Sequence, residues 1–354
     1  MTEPPLVLVT GGTGFLAKWV LAYLLQSPEN YRVRTTLRTP SRKDEITSSL
    51  LAAGISPERI SSLSIVTTDL NSNEGWADAL QNVTFVQHIA SPFPNAPPKN
   101  EDDLLNPAIE GTRRVLRFAK DARVKRVVVT SSSAAVQYGL ANRDKRRFTE
   151  EDWTDLSGPK ERVSLYARSK TLAEKAAWEF MEREGEGKDS GMELSVVNPV
   201  MIFGPALGKE DGTSLHAITE LMEGTAPGIP RLQFNIVDVR DCARLHLLVM
   251  TERQAAGERF LCIGEGSLWM GELARLLKRN LGEKASKVPS LGLPDFAVRL
   301  VALVMPIARL ILQDLGIERE PVAEKARDVL GWKWEYTTEQ AVMASVESLE
   351  RYGH

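Results

Sequence analysis

The chain has 354 residues, 43% hydrophobic and 26% charged, with a formal net charge of −3. This length admits one large α/β domain or two smaller ones, and the charge balance provides no basic face for nucleic acid. Two cysteines, Cys242 and Cys262, and four histidines give neither a disulfide framework nor metal-ligand spacing, so no metal is expected.

Residues 6–10, LVLVT, form the short apolar run of a strand buried in a parallel sheet. It begins so close to Met1 that a signal peptide has no room, and a cytoplasmic location is expected. Thr10, Gly11, Gly12, Thr13 and Gly14 follow, and then a helical apolar pattern opens with Phe15 and Leu16. Strand, glycine turn and helix together are the setting of a dinucleotide-binding turn. Gly11 allows the tight turn, Gly14 lets backbone approach a pyrophosphate, and Ala17 permits close helix–strand packing. The pyrophosphate would rest on the helix N-terminus. The next strand, 32–37, ends without the acid that accepts from a ribose 2′-hydroxyl. Arg38 and Arg42 stand there instead, and a guanidinium suits a 2′-phosphate. NADP(H) is therefore expected over NAD(H).

Helix and strand alternate through the first half: helix 45–53, strand 63–67, strand 83–89, helix 104–122, strand 126–130, a long helix through Tyr166, and strand 194–197. His88 is read as structural. The pattern predicts an α/β fold with a doubly wound parallel sheet. Ligands of such sheets bind beyond the carboxyl ends of the strands. That rule places residues 10–14, Asp69, Ala90, Ser91, Ser131–Ser133, Asn198 and Pro199 around one cleft. Beyond Val200 the pattern loosens, with a short strand at 236–240, another at 260–263, and a helix-rich end expected to cover the cleft. The predicted division is a nucleotide domain of residues 1–199 with 234–263, and a substrate domain of 200–233 with 264–354. Residues 296–312 are apolar, but Arg299, Pro306 and Arg309 interrupt them. The charge-free run is too short for a bilayer, so an amphipathic helix packed on the protein is expected, with no membrane partner.

Tyr166 and Lys170 lie four apart in SLYARSKTLAEKAAWEF, one turn from each other on a helix face. A phenol ordinarily titrates near ~10, and a neighbouring ammonium brings it toward use as an acid or base.

With these residues in place the chain resembles an extended short-chain dehydrogenase/reductase. It is most similar to the group of dihydroflavonol 4-reductases, cinnamoyl-CoA reductases and yeast methylglyoxal (ketone) reductases. The carrying segments are VTGGTGFLA, TLR, HIASPF, PAIEGT, VVVTSSSAAV, YARSKTLAEKAAWEF, NPVMIFGP and VDVRDCARLHL, spread over residues 6–250. The resemblance implies a catalytic serine, tyrosine and lysine: Ser132, with Ser131 the second choice, Tyr166 and Lys170. It implies that Ser132 bonds a substrate carbonyl oxygen, that Tyr166 delivers the proton, and that Lys170 lowers the tyrosine pKa and binds the nicotinamide ribose. It further implies cofactor contacts at Asp69, Leu70, Ala90, Ser91, Pro199, Val200, Met201, Ile202 and Ser214. Gln137 stands where dihydroflavonol reductases hold a flavonoid hydroxyl with asparagine, and its greater length argues against assuming a flavonoid. The tyrosine-rich signature of cinnamoyl-CoA reductases is absent from the charged loop 143–160. The implied activity is reduction of an aldehyde or ketone by NADPH, in a monomer or homodimer. Two other readings stand beside it. One is an epimerase, dehydratase or 3β-hydroxysteroid-type dehydrogenase, opposed by Arg38 and by Ser133-Ala134-Ala135 where dehydratases carry acids. The other is a cofactor-sensing regulator, opposed by the retained tyrosine and lysine.

Overall fold

The computed structural model describes residues 3–91, 100–139, 146–159, 162–185, 191–209, 212–225, 228–304, 309 and 311–353. Twelve strands appear among them: β1 (Leu6–Val9), β2 (Arg32–Leu37), β3 (Ser64–Thr67), β4 (Phe85–His88), β5 (Arg126–Thr130), β6 (Arg146–Phe148), β7 (Glu193–Pro199), β8 (Met201–Phe203), β9 (Gln233–Asp238), β10 (Arg259–Cys262), β11 (Ser267–Trp269) and β12 (Arg319–Pro321). The helices are α1 (Phe15–Gln26), α2 (Lys43–Ala52), α3 (Pro57–Ser61), α4 (Trp76–Leu80), α5 (Asp102–Asp121), α6 (Leu165–Gly185), α7 (His216–Glu223), α8 (Val239–Thr251), α9 (Met270–Leu281), α10 (Asp295–Val304), α11 (Glu324–Leu330) and α12 (Thr338–Tyr352).

Seven strands form one parallel sheet in the order β10-β7-β5-β4-β1-β2-β3. Successive side chains of a strand point to opposite faces, and here both faces are covered. Val7 and Val9 join the core beneath α1 and α8, whereas Leu6 and Leu8 join the one beneath α5 and α6. A sheet closed on both faces leaves its strand ends as the place where a ligand can enter. The sequence reading of a doubly wound α/β fold agrees with this sheet.

Smaller sheets flank it. β8 and β9 run parallel, β11 pairs antiparallel with β9, and β6 pairs with β12. The strand expected at 236–240 instead starts at Gln233 and stops at Asp238. There the Asp238 carboxylate accepts from Arg240 N at 2.9 Å, capping α8 and turning the chain helical.

The expected amphipathic helix near 296–312 is present as α10, but it is not packed as predicted. Only Val298 and Ala302 are buried along it, while Phe296, Leu300, Leu303 and Val304 are exposed. Two residues four apart make a stripe too narrow to bury the apolar remainder. Pro306 lies outside the described residues. Among those described, no helix is long and apolar enough to cross a membrane.

One carboxylate fixes the segment between α11 and α12 on α8. Asp241, whose side chain is fully buried, accepts from Glu335 N at 3.0 Å and Tyr336 N at 3.1 Å. It also pairs with Arg244 at 3.2 Å. Removing it strands two backbone donors, while Arg244 keeps Glu335 and the Lys333 carbonyl as partners. Asp241→Ala should therefore lower unfolding free energy by about 2–4 kcal/mol, measured by urea denaturation. A loss below about 0.5 kcal/mol would show that the anchor is dispensable.

Candidate active site

A cavity of about 890 Å³ opens at the carboxyl edge of the main sheet. Its floor is the turn after β1. Gly11 takes φ +72, and a Cβ there would come within 3.0 Å of Ala90 Cβ. The turn is held on β2, with Gly11 N donating to Thr36 Oγ1 at 3.1 Å and Gly12 N to Thr36 O at 2.9 Å. Gly14 is the N-cap of α1. No side chain caps that terminus and no acid sits in its first turn. Thr13, Gly14, Phe15 and Leu16 therefore bring an uncapped, electropositive helix end to the cavity.

Beyond the neighbouring ends of β2 and β3, Arg38 and Arg42 line the cavity together with Asp69 and Leu70. The Arg42 guanidinium meets Glu45 at 2.8 and 3.1 Å. Glu45 also pairs with Lys18 Nζ at 3.0 Å, and the Lys18 side chain is only 1% exposed. Burial raises the Glu45 carboxyl, but Arg42 and Lys18 together hold it below its ordinary value. Ala90, Ser91, Val200, Met201 and Ser214 line the walls between. An uncapped helix end, a glycine floor and two arginines form a donor set that fits a dinucleotide bearing an extra phosphate.

Four expected contact residues do not line the cavity. Thr10 is fully buried; its Oγ1 bonds His88 Nδ1 at 3.0 Å and accepts from Ile89 N at 3.1 Å and Ala90 N at 3.0 Å. Gly12 packs against β2, where a Cβ would fall 2.3 Å from Thr35 Oγ1. Pro199 ends β7 in register with Cys262, and Ile202 lies within β8 opposite Val237. The predicted ring of strand ends is thus incomplete. Asn198 and the Ser131 hydroxyl turn instead to Glu174, at 2.7 and 2.5 Å, while Ser132 and Ser133 line the main cavity.

Ser132, Tyr166 and Lys170 all line that cavity. Ser132 leaves β5 extended, and its Oγ accepts from Ala134 N at 3.1 Å. The Tyr166 phenol is hydrogen-bonded with the Ser132 hydroxyl. Tyr166 retains 40% exposure into the cleft, yet surrounding protein encloses the phenol. That enclosure raises its pKa above the ordinary value, and the Ser132 bond only partly offsets the rise. The expected lowering by Lys170 is not what this site displays: the phenol is held neutral. Burial brings Lys170 down to about 8, opposed by Glu174 one turn along α6. His88, read as structural, is held neutral by burial and by Lys170, with its pKa near about 3; its place is behind the wall, on Thr10.

Sequence reasoning named only Gln137 of the far wall. Arg319 Nη1 donates to Asp314 Oδ1 at 2.6 Å, and the guanidinium lies 4.6 Å from the centre of the Tyr138 ring. Burial and Asp314 push the Tyr138 phenol well up, and burial raises Asp314 against the pull of Arg319. Gln137 lies beside this group and lines the cavity. Tyr138, Asp314 and Arg319 carried no local sequence signal.

Thr10 organises the wall at Ala90. Thr10→Val removes one acceptor shared by two backbone donors and one histidine partner. It should cost about 1–3 kcal/mol of stability, measured by chemical denaturation; an unchanged midpoint would remove Thr10 from that role.

The model of the NAD dependent epimerase/dehydratase family matches residues 7–264. Cinnamoyl-CoA reductase 2 of Arabidopsis thaliana is 32% identical over 355 residues, covering 100% of this chain and 95% of the relative. The NADPH-dependent methylglyoxal reductase GRE2 of Saccharomyces cerevisiae is 33% identical over 302 residues, covering 80% of this chain and 84% of the relative. Among solved structures, yeast methylglyoxal/isovaleraldehyde reductase Gre2 complexed with NADPH aligns with a TM-score of 0.79 at 28% identity, covering 98% of this chain and 99% of that one. With a glycine floor, a Ser132–Tyr166 hydroxyl pair and Lys170 in one cavity, the chain belongs to the NAD dependent epimerase/dehydratase family, among the extended short-chain dehydrogenases/reductases similar to cinnamoyl-CoA and methylglyoxal reductases.

Proposed function

We propose that this chain is an NADPH-dependent carbonyl reductase that converts an aldehyde or ketone to an alcohol. The observation that carries the reading is the Ser132–Tyr166 hydroxyl pair, which shares one cavity with Lys170 and the uncapped end of α1. The relatives named as reductases, and Gre2 with its bound NADPH, support it.

In this reading Gly11, Thr13, Gly14, Phe15 and Leu16 hold the pyrophosphate, and Arg38 and Arg42 take the 2′-phosphate. Asp69 and Leu70 lie at the adenine, Ala90 and Ser91 at the adjoining ribose, and Val200, Met201 and Ser214 toward the nicotinamide. When bound, NADPH supplies the hydride. Negative charge then grows on the substrate oxygen, and pre-placed donors stabilise it. The Ser132 hydroxyl donates to that oxygen and Tyr166 transfers its proton there. A phenol kept neutral by enclosure is in the right form for this direction. Lys170 contributes positive charge beside the phenol and a donor to the cofactor ribose. The protein needs no disulfide for this chemistry; Cys242 and Cys262 are free and buried.

The direct test is turnover of NADPH with a panel of aldehydes and ketones. Tyr166→Phe should lower kcat by about 10²–10⁴-fold while NADPH affinity stays within a few-fold of wild type. Wild-type protein that binds NADPH and consumes none across the panel would end the reductase reading, and parallel loss of binding in Tyr166→Phe would make the tyrosine structural.

Cofactor choice has its own test. Removing both guanidinium groups in Arg38→Ala/Arg42→Ala should raise KM for NADPH by about 10–100-fold and leave KM for NADH nearly unchanged. Equal changes for both cofactors would show that the arginines do not read the 2′-phosphate.

A further inference from the structure

Behind the catalytic wall lies a buried polar network that the proposed reaction leaves without a role. Glu174 stands on α6 one turn beyond Lys170, and its side chain is fully buried. Four donors hold its carboxylate: Ser131 Oγ at 2.5 Å, Asn198 Nδ2 at 2.7 Å, Arg259 Nε at 2.5 Å and Trp178 Nε1 at 3.4 Å. Asn198 Nδ2 also reaches Ser132 O at 3.2 Å. Arg259 is fixed in turn, with Nη1 donating to Glu150 O at 2.7 Å and Asp152 O at 3.0 Å, and its guanidinium 3.7 Å from the centre of the Trp153 ring. A second cavity of about 20 Å³ lies between, lined by Lys170, Glu174, Ser131 and His88. That space admits one water.

A buried ion pair is poor evidence of stabilisation, because desolvation consumes most of what attraction returns. This one stands where placement matters. Its carboxylate is linked to the Ser132 carbonyl through Asn198 and shares a cavity with Lys170. Resting on the reductase reading above, we propose that Glu174 is a positioning residue for this site: it holds the Ser132 peptide through Asn198 and places a fixed negative charge one turn from Lys170 across a water-sized gap.

The titratable and charged groups around the gap are few. Tyr166 shares α6, and Lys175, also on α6, lies over the Trp153 ring. His88 comes from β4 and is neutral across the working range. Arg259 comes from β10, with Glu150 and Asp152 accepting through their backbone oxygens. His246 of α8 stands behind Thr130, with Nε2 at 2.9 Å from its hydroxyl. α5 faces the cavity with Ala108 and Thr112, which carry no charge. Glu174 is thus the negative side chain lining the gap beside Lys170 among the described residues. A lysine is charged below its pKa and neutral above it. Removing the charge at 174 lowers the pH at which Lys170 loses its proton, so reductive turnover should fail earlier as pH rises.

The test compares wild type, Glu174→Gln and Glu174→Asp. The titration of Lys170 is read without turnover, by acetic anhydride labelling across pH and peptide mass spectrometry. The alkaline limb of kcat/KM is read beside it, with NADPH binding as the folding control. In wild type both should turn near pH 8, matching the value to which burial brings Lys170. In Glu174→Gln both should move down by about one unit or more, whereas in Glu174→Asp, which keeps the charge, they should stay while kcat falls about tenfold or more as Ser132 shifts. If Glu174→Gln fails to fold, Glu174→Gln/Arg259→Gln, which leaves no unpaired buried charge, takes its place; if neither folds, Glu174→Asp decides through kcat. An unmoved Lys170 titration in a folded Gln variant overturns the proposal, as does wild-type kcat in Glu174→Asp. Wild type that binds NADPH but reduces nothing overturns the reductase reading alone, since the labelling still reports on Glu174 and Lys170.

Discussion

Arg259 and Glu174 meet at 2.5 Å with both side chains almost wholly buried. Neither charge could stand there alone. Their pairing dictates where α6 lies against β10, and the remaining carboxylate acceptors dictate where β5 and β7 end beside it. Four elements distant in sequence are brought to one point by one ion pair. The candidate catalytic residues lie on the outer surface of that junction: Ser132 is one residue beyond Ser131, and Lys170 one turn before Glu174. Nearest-neighbour packing of the parallel sheet gives the strands their order, but this junction gives the strand ends their positions relative to α6.

The sequence made the outer layer of this arrangement legible and hid the inner one. The strand, glycine turn and start of α1 could be read because a tight turn, a close approach and a helix start each demand a residue type at a fixed offset. Tyr166 and Lys170 could be read because the helical period places them together. Arg259 could not. It lies 85 residues from Glu174, in a short strand where nothing local separates a buried guanidinium from a solvated one. The three-residue strands β6, β8, β11 and β12 were equally invisible, since their pairing is set by partners far along the chain and not by alternation within them. Thr10 and Asn198 were placed at the ligand by their position at strand ends. Each instead satisfies buried polar groups behind the wall, a demand that strand periodicity does not express.

The same contrast separates the two ends of the cavity. The glycine floor and the two arginines come from one contiguous stretch between β1 and α2, so their relation was written locally. The far wall of Gln137, Tyr138, Asp314 and Arg319 is assembled from segments more than 170 residues apart. Arg319 is engaged by Asp314 and by the Gln313 carbonyl, whereas Gln137 Oε1 is buried with no hydrogen-bond partner among the described residues.

Lys18 gives the arginine end a character of its own. Its ammonium is shut inside the protein, with Glu45 as its counter-ion. Glu45 cannot follow Arg42 toward the cavity, because leaving would strand that ammonium. One carboxylate thus serves a cation sealed inside the protein and a cation at the cavity. A shift of Arg42 would change the field at Lys18, so α1 and the start of α2 are coupled electrostatically through Glu45.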